Sequence, residues 1–230
     1  MKIIGILGGM SWESTVSYYQ ALNQGVKARL GGLHSARLLL HSVDFAEVEA
    51  LQHAGDWDAL ARLLVDAALG LQGAGAQGLL IATNTMHKLA PQLEAALDIP
   101  LLHIADAVGT RLKADGVTRA GLLGTRFTME QDFYHARLAA RFGIELLVPE
   151  ADDRQRVHDI IYRELCCGQI RADSREEYLA IMAKLQAQGA QAVVLGCTEI
   201  PLLVQPQHTD IPLYDTAALH AAAALEWALA

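Results

Sequence analysis

Aromatic residues make up only 6% of this 230-residue chain, with six prolines and three cysteines. Cys166 and Cys167 are adjacent and Cys197 stands apart, which excludes a disulfide-stapled scaffold and fits no zinc spacing. Basic charge is short as well, 18 residues against 26 acidic ones, and no Lys/Arg block exists to track a phosphate backbone. Nucleic acid is therefore not an expected partner. Long apolar runs are missing too: the opening stretch Ile3–Ser11 falls far below the roughly 20 residues of a membrane span and lacks a small-residue cleavage site. Nine histidines form neither H-x-x-x-H nor H-E-x-x-H, so no metal site is expected. The expectation is a reduced, cytoplasmic protein without a membrane partner.

What is present is apolar and small. The chain is 52% hydrophobic and 19% charged, with 19 glycines, the composition of a globular α/β protein. Lys2–Leu7 is a short apolar run ending in Gly8-Gly9, and a helical pattern opens after Ser11 as N-cap. Similar runs at Ala36–Ser42, Gly78–Ala82, Leu101–Ile104, Ala120–Leu123, Ala192–Leu195 and Pro212–Tyr214 are separated by stretches of helical length. Short apolar strands alternating with helices imply parallel sheets covered on both faces.

An internal repeat organises these elements. Leu71–Thr85 lies over Leu185–Glu199 at a constant offset of 114, sharing Leu, Gln, Gly, Ala and Gln. Gly5-Ile-Leu-Gly8 lies over Gly121-Leu-Leu-Gly124, and Ile99-Pro-Leu101 is echoed by Ile211-Pro-Leu213. The chain reads as two pseudo-symmetric α/β domains, 1–102 with 214–230 and 103–213, each a mostly parallel sheet flanked by helices. In this repeat Thr83 and Cys197 occupy the same place, just beyond the carboxyl end of a buried strand, where open α/β sheets bind ligands.

That position singles out Cys197 from the other thiols. At a strand end, free backbone N–H groups are expected to lower its pKa from about 8.5 and make it reactive. Cys166 and Cys167 fall at the end of the helical pattern Val157–Leu165, before Gly168, where a thiolate is disfavoured and a structural role is expected. Thr83-Asn84-Thr85 presents two hydroxyls and an amide suited to a carboxylate or ammonium group, although such residues also cap helices. Gly8-Gly9-Met10-Ser11 lacks the full G-x-G-x-x-G pattern and suits a small carboxylate better than a nucleotide; Gly124-Thr125 is its repeat partner. His87 reads equally as a substrate-orienting group or a cap, and His103 equally as a core or a functional group.

GGMSWEST at 8–15, HSVDF at 41–45, TNTMH at 83–87, HIAD at 103–106 and GCTEIPLL at 196–203 together resemble the aspartate/glutamate racemases. The resemblance covers the whole chain. It implies two pseudo-symmetric α/β domains with the active site in the interdomain cleft, a small-molecule amino-acid substrate such as L-aspartate or L-glutamate, and no cofactor, pyridoxal phosphate or metal. It also implies a homodimer. In that family two cysteines flank the α-carbon, one removing the proton and the other returning it.

Here Thr83 stands where the first cysteine is expected. A hydroxyl delivers or relays a proton far more readily than it removes one from carbon. The implied enzyme is one-sided: Cys197 takes the α-proton of the L-enantiomer and Thr83 serves the opposite face. Met10, Asn84, Thr85, Thr125, Thr198 and Glu199 are the implied substrate-binding residues, with Gln52 contributing from a loop region after Asp44-Phe45. The family's lysine in the segment matching Leu165–Gly168 is replaced by Cys166 or Cys167, which weakens the case for strict aspartate specificity. Another cofactor-free enzyme of the superfamily, a decarboxylase or isomerase, and a catalytically silent amino-acid-binding protein are the alternatives.

Overall fold

The computed structural model describes all residues, Met1–Ala230. In chain order the first elements are β1 (Ile4–Gly8), α1 (Trp12–Leu30), β2 (Leu38–Ser42), α2 (Phe45–Ala54), α3 (Trp57–Gly73) and β3 (Gly78–Ile81). A 3-10 turn at Thr85–Leu89 leads into α4 (Ala90–Ala96), β4 (Leu101–Leu102) and α5 (Ile104–Ala114). There follow β5 (Arg119–Gly124), α6 (Arg126–Glu130), α7 (Asp132–Phe142), β6 (Glu145–Leu147) and α8 (Ala151–Arg163). After a 3-10 turn at Leu165–Cys167 come α9 (Ala172–Ala187), β7 (Ala192–Gly196), α10 (Ile200–Leu203), β8 (Leu213–Asp215) and α11 (Thr216–Leu229). No helix is long and apolar enough to cross a membrane.

The chain divides into two compact units, Met1–Ile104 with His220–Ala230, and Ala105–Leu219. Each holds one parallel four-stranded sheet, ordered β2-β1-β3-β4 in the first and β6-β5-β7-β8 in the second. The expected boundary at 213/214 cuts through β8, whose Leu213, Tyr214 and Asp215 pair with Val193, Val194 and Leu195 of β7. Pairing keeps that strand in the second unit, and the chain returns to the first only at His220. Two further elements differ from the apolar runs of the sequence. Glu145–Leu147 is an edge strand too short to leave a periodic signal, and Ile104 opens α5 rather than ending β4.

The repeat has a mechanical basis. Gly75 and Gly189 end their helices with φ of 102° and 100°, a region that favours glycine. Two residues later Gln77 and Gln191 turn their side-chain carbonyls onto the start of the neighbouring strand: Gln77 Oε1 accepts from Ile3 N–H (3.0 Å), and Gln191 Oε1 accepts from Thr118 N–H (2.8 Å) and Arg119 N–H (3.0 Å). Gly5 in β1 and Gly121 in β5 leave room for Leu71 and Leu185, since an added Cβ would stand 3.3 Å and 2.9 Å from those side chains. The shared Leu, Gly and Gln positions therefore form one helix-to-strand joint made twice.

In the first unit, α3 buries Leu60, Leu64, Ala67, Ala68 and Leu71, a stripe at helical spacing, against Leu7, Leu79 and Ile81 of the central strands. Asp56 caps the helix by accepting from Ala59 N–H (2.9 Å). The last helix closes the other side, with the Trp227 ring lying where a Cβ on Gly78 would approach to 2.6 Å.

That side also carries a buried polar contact unforeseen in the sequence. His220 Nε2–H donates to the Leu102 carbonyl (2.5 Å) while Nδ1 accepts from the Tyr18 hydroxyl (3.0 Å), which uses both ring nitrogens in the neutral tautomer. Burial pulls its pKa down to about 4. The unfolded chain, with a histidine pKa of about 6.5, therefore takes up this proton first as pH falls, so stability present above that value is lost toward pH 4, on the order of 3 kcal/mol in all. Denaturant titrations across this window are expected to show a steeper loss in wild type than in His220→Gln; parallel curves would remove His220 as the cause.

Candidate active site

Parallel strands send their carboxyl ends to the same edge of a sheet, and the residues that follow them gather there. In the second unit the register Gly124↔Gly196 places Thr125 and Cys197 as the next residues along neighbouring strands. Both glycines are sterically required: a Cβ on Gly196 would lie 2.8 Å from Leu122 Cδ1, and one on Gly124 would lie 3.0 Å from the Gly196 carbonyl. Thr125 caps α6, accepting from Thr128 N–H (3.3 Å).

Cys197 is buried, and its thiol donates to Glu199 Oε2 at 2.8 Å. The Thr198 hydroxyl donates to the same oxygen at 2.9 Å. Glu199 stands at the N-terminus of α10, yet its side chain does not cap the helix. Burial pushes the Cys197 thiol well above its ordinary range, and the Glu199 carboxylate and Cys166 push it further; the Glu199 backbone N–H acts in the opposite direction and does not prevail. This corrects the expectation of an activated thiolate. The backbone donor at the strand end exists, but desolvation and the adjacent negative charge outweigh it. At rest Cys197 is a protonated thiol with a carboxylate as acceptor.

In the first unit, Leu7 pairs with Ile81, which brings Gly9-Met10 and Thr83-Asn84-Thr85 to the same sheet edge. Gly9 has φ of 88°, and an added Cβ would lie 2.3 Å from the Val43 carbonyl, so the loop is built around glycine. Its N–H already donates to Thr15 Oγ1 (2.8 Å) and is thus taken from any anion. Ser11 caps α1 as expected, accepting from Ser14 N–H (3.4 Å). Met10 packs its side chain into the hydrophobic core, leaving its backbone as the part of the residue open to ligand chemistry. Thr83 is half-buried, Asn84 and Thr85 are buried, and Asn84 precedes the 3-10 turn without capping it.

His87 resolves toward structure. Its Nδ1–H donates to the Thr83 carbonyl (2.8 Å), and its Nε2 accepts from Ile104 N–H (3.2 Å). The buried ring therefore ties Thr83, two residues past β3, to the start of α5, and the His103 ring lies beside it with centroids 4.5 Å apart. Gln52 lies in α2, not in a loop: Asp44 caps that helix through Ala46 N–H (3.0 Å), and the helix runs to Ala54. The Gln52 side chain is buried, and its Nε2 has no hydrogen-bond partner. No group of three or more His, Cys, Asp or Glu side chains gathers to hold a metal ion.

The family profile described as Asp/Glu/Hydantoin racemase matches residues 7–224. The chain belongs to this racemase family. The crystal structure of a provisionally assigned Asp/Glu racemase from Yersinia pestis is 54% identical over 100% of both chains, with a TM-score of 0.94. An aspartate racemase homologue from Pyrococcus horikoshii OT3 is 31% identical over 100% of both chains, with a TM-score of 0.87. The broad specificity amino-acid racemase RacX of Bacillus subtilis (strain 168) is 21% identical over 94% of this chain and 93% of its own. The glutamate racemase of Koribacter versatilis (strain Ellin345) is 30% identical across 64% of this chain, which spans only 50% of that enzyme.

Within this racemase fold the residues marked in the sequence divide by what their side chains already hold. Cys197, Thr198 and Glu199 form one hydrogen-bonded set in which the thiol and the Thr198 hydroxyl both donate to Glu199 Oε2. The C-T-E run signalled the site, but the bond from sulfur to the residue two positions on depends on the turn after β7, which has no periodicity to read. Replacing His87 with phenylalanine keeps a ring while leaving the Thr83 carbonyl and Ile104 N–H without it; each unsatisfied group costs about 1–3 kcal/mol. A thermal or denaturant midpoint shifted accordingly is expected, and an unshifted midpoint would show that the ring only fills space.

Proposed function

We propose that this chain racemises aspartate and glutamate without a cofactor, with Cys197 removing the α-proton of the L-enantiomer and Thr83 returning a proton on the other face. The observation that carries the reading is the buried thiol of Cys197 held 2.8 Å from the Glu199 carboxylate at the end of β7. A thiol is a base only after losing its proton, and Glu199 Oε2 is the acceptor already on it. Transfer of that proton to Glu199 leaves a thiolate; the thiolate then takes the α-proton and becomes a thiol again. The electron pair left on carbon moves into the substrate carboxylate, whose developing charge calls for hydrogen-bond donors.

Asn84, Thr85 and Thr125, with backbone groups near Met10 and Thr198, supply donors of the right kind at the two sheet edges. Gln52 offers a buried amide donor for the distal substrate group. A neutral donor there favours acidic side chains less strongly than a cation would. The relatives named for aspartate, glutamate and broad specificity support an amino-acid substrate of this range. A homodimer in the cytoplasm belongs to the same reading by family resemblance, and light scattering on the purified chain checks the first part.

A second reading is favoured by one observation, the threonine at position 83. One-thiol proton delivery also suits a cofactor-free decarboxylase, which would release carbon dioxide without exchanging the α-proton of an amino acid.

Incubation of L-aspartate or L-glutamate in deuterated water, followed by NMR, separates these. Wild type is expected to incorporate deuterium at the α-carbon and, by chiral chromatography, to form the D-enantiomer. Cys197→Ser should lose about 10²–10⁴-fold in exchange with the fold intact, as befits removal of a general base. Because burial and Glu199 raise the thiol, exchange should climb with pH into the alkaline range. Glu199→Gln distinguishes acceptor from mere neighbour: lower exchange at neutral pH supports proton acceptance, whereas faster exchange would mean that the carboxylate only repels the thiolate.

Thr83 makes the two directions unequal in their first step. L-substrate is expected to exchange its α-proton faster than D-substrate, although the equilibrium between enantiomers stays fixed. Thr83→Cys should raise exchange from the D side. Equal exchange from both enantiomers in wild type would assign the second proton to another group.

A further inference from the structure

Cys166 has no part in the proton transfer just described, yet its surroundings connect it to Cys197. Beyond α8 the backbone leaves helical geometry at Glu164, with φ of −121°, and turns through Leu165–Cys167. Gly168 ends the turn in the left-handed region, with φ of 71°. Leu165 is buried beneath it, and the turn packs against α10, the helix that begins directly after Cys197-Thr198-Glu199. The two adjacent thiols have different settings. Cys167 is exposed, with its sulfur 3.6 Å from the Tyr162 carbonyl of α8, whereas Cys166 is half-buried. Tyr178 of α9 is fully buried and responds to the charge of both Cys166 and Cys197, and the Cys197 thiol itself responds to Cys166. A turn packed against α10 thus carries one thiol into the electrostatic neighbourhood of the other.

We propose that Cys166 and Cys197 form a reversible disulfide that withdraws the Cys197 thiol under peroxide. Accessibility sets the order of events. Cys166 is the more exposed of the pair, while Cys197 is buried and protonated, so peroxide reacts first at Cys166. The Cys166 thiol is oxidised to a sulfenic acid as hydrogen peroxide is reduced to water. The Cys197 sulfur then attacks the Cys166 sulfur, its proton passing to Glu199, and the hydroxyl leaves with that proton as a second water. Two thiols and one peroxide yield one disulfide and two waters. Bridging needs Cα atoms within about 7 Å, and the short 165–167 turn packed against α10 is the segment that would move to meet that distance. Its consequence for activity rests on the proposed role of Cys197 as base; formation of the link does not.

The experiment treats the full chain with a small excess of hydrogen peroxide in the absence of substrate. It follows α-deuterium exchange, intact mass and the peptide map before and after dithiothreitol. Wild type is expected to lose the mass of two hydrogens, to yield a linked peptide pair containing Cys197, and to fall about tenfold or more in exchange, with recovery on reduction. Cys167→Ser should behave like wild type and assigns the link to Cys166. Cys166→Ser should keep its exchange rate through the same treatment. A link confined to Cys166 and Cys167, oxidation of Cys197 without any link, or inactivation of Cys166→Ser at the wild-type rate would each overturn the proposal. A Cys166–Cys197 link that left exchange unchanged would overturn the switch and the base assignment together; loss of exchange in Cys197→Ser with no link in wild type would overturn the switch alone.

Discussion

Parallel pairing of β1 with β3 and of β5 with β7 decides where chemistry can sit in this chain. Strands running the same way release their ends at one edge, and the peptide groups there have left the ladder. The glycines at that edge allow the backbones to close: Gly9 against Val43, and Gly124 against Gly196. Only after that closure do Thr83, Thr125 and Cys197 occupy their places, each with local hydrogen bonds holding its turn. The candidate site residues are therefore placed by sheet geometry before their own side chains have any part in it.

The thiol illustrates how burial reverses a simple expectation. A strand end does provide a backbone donor to sulfur, but one donor in a dry site beside a carboxylate cannot hold a negative charge. What the site supplies instead is a fixed proton acceptor. The proposed role of Cys197 as base draws on this acceptor, already aligned with the sulfur at 2.8 Å. The same reasoning explains why Thr198, chosen for its hydroxyl, has that hydroxyl committed to Glu199.

Much of the architecture was legible because it depends on periodicity and repetition. The apolar runs mark six of the seven strands after β1, and the 114-residue offset pairs Gln77 with Gln191, which share one hydrogen-bonding task. Edge strand β6 escaped because three residues of Glu-Leu-Leu are too few to show alternation. Gln52 reads as loop because the amphipathic stripe of α2 is weak, with only Val48 and Gln52 buried. The roles of His87 and His220 escape for a different reason: their partners lie 17 and 118 residues away, and a histidine in an apolar stretch looks the same whether its nitrogens are satisfied or not.

The late return of the chain at His220 bears on how the protein is born. The second unit is an insertion within the first, so every residue of Ala105–Leu219 leaves the ribosome before the segment that completes the first unit. Until that segment emerges, Gly78 lacks the ring of Trp227 and Tyr18 lacks His220. The strands translated first are completed by the helix translated last.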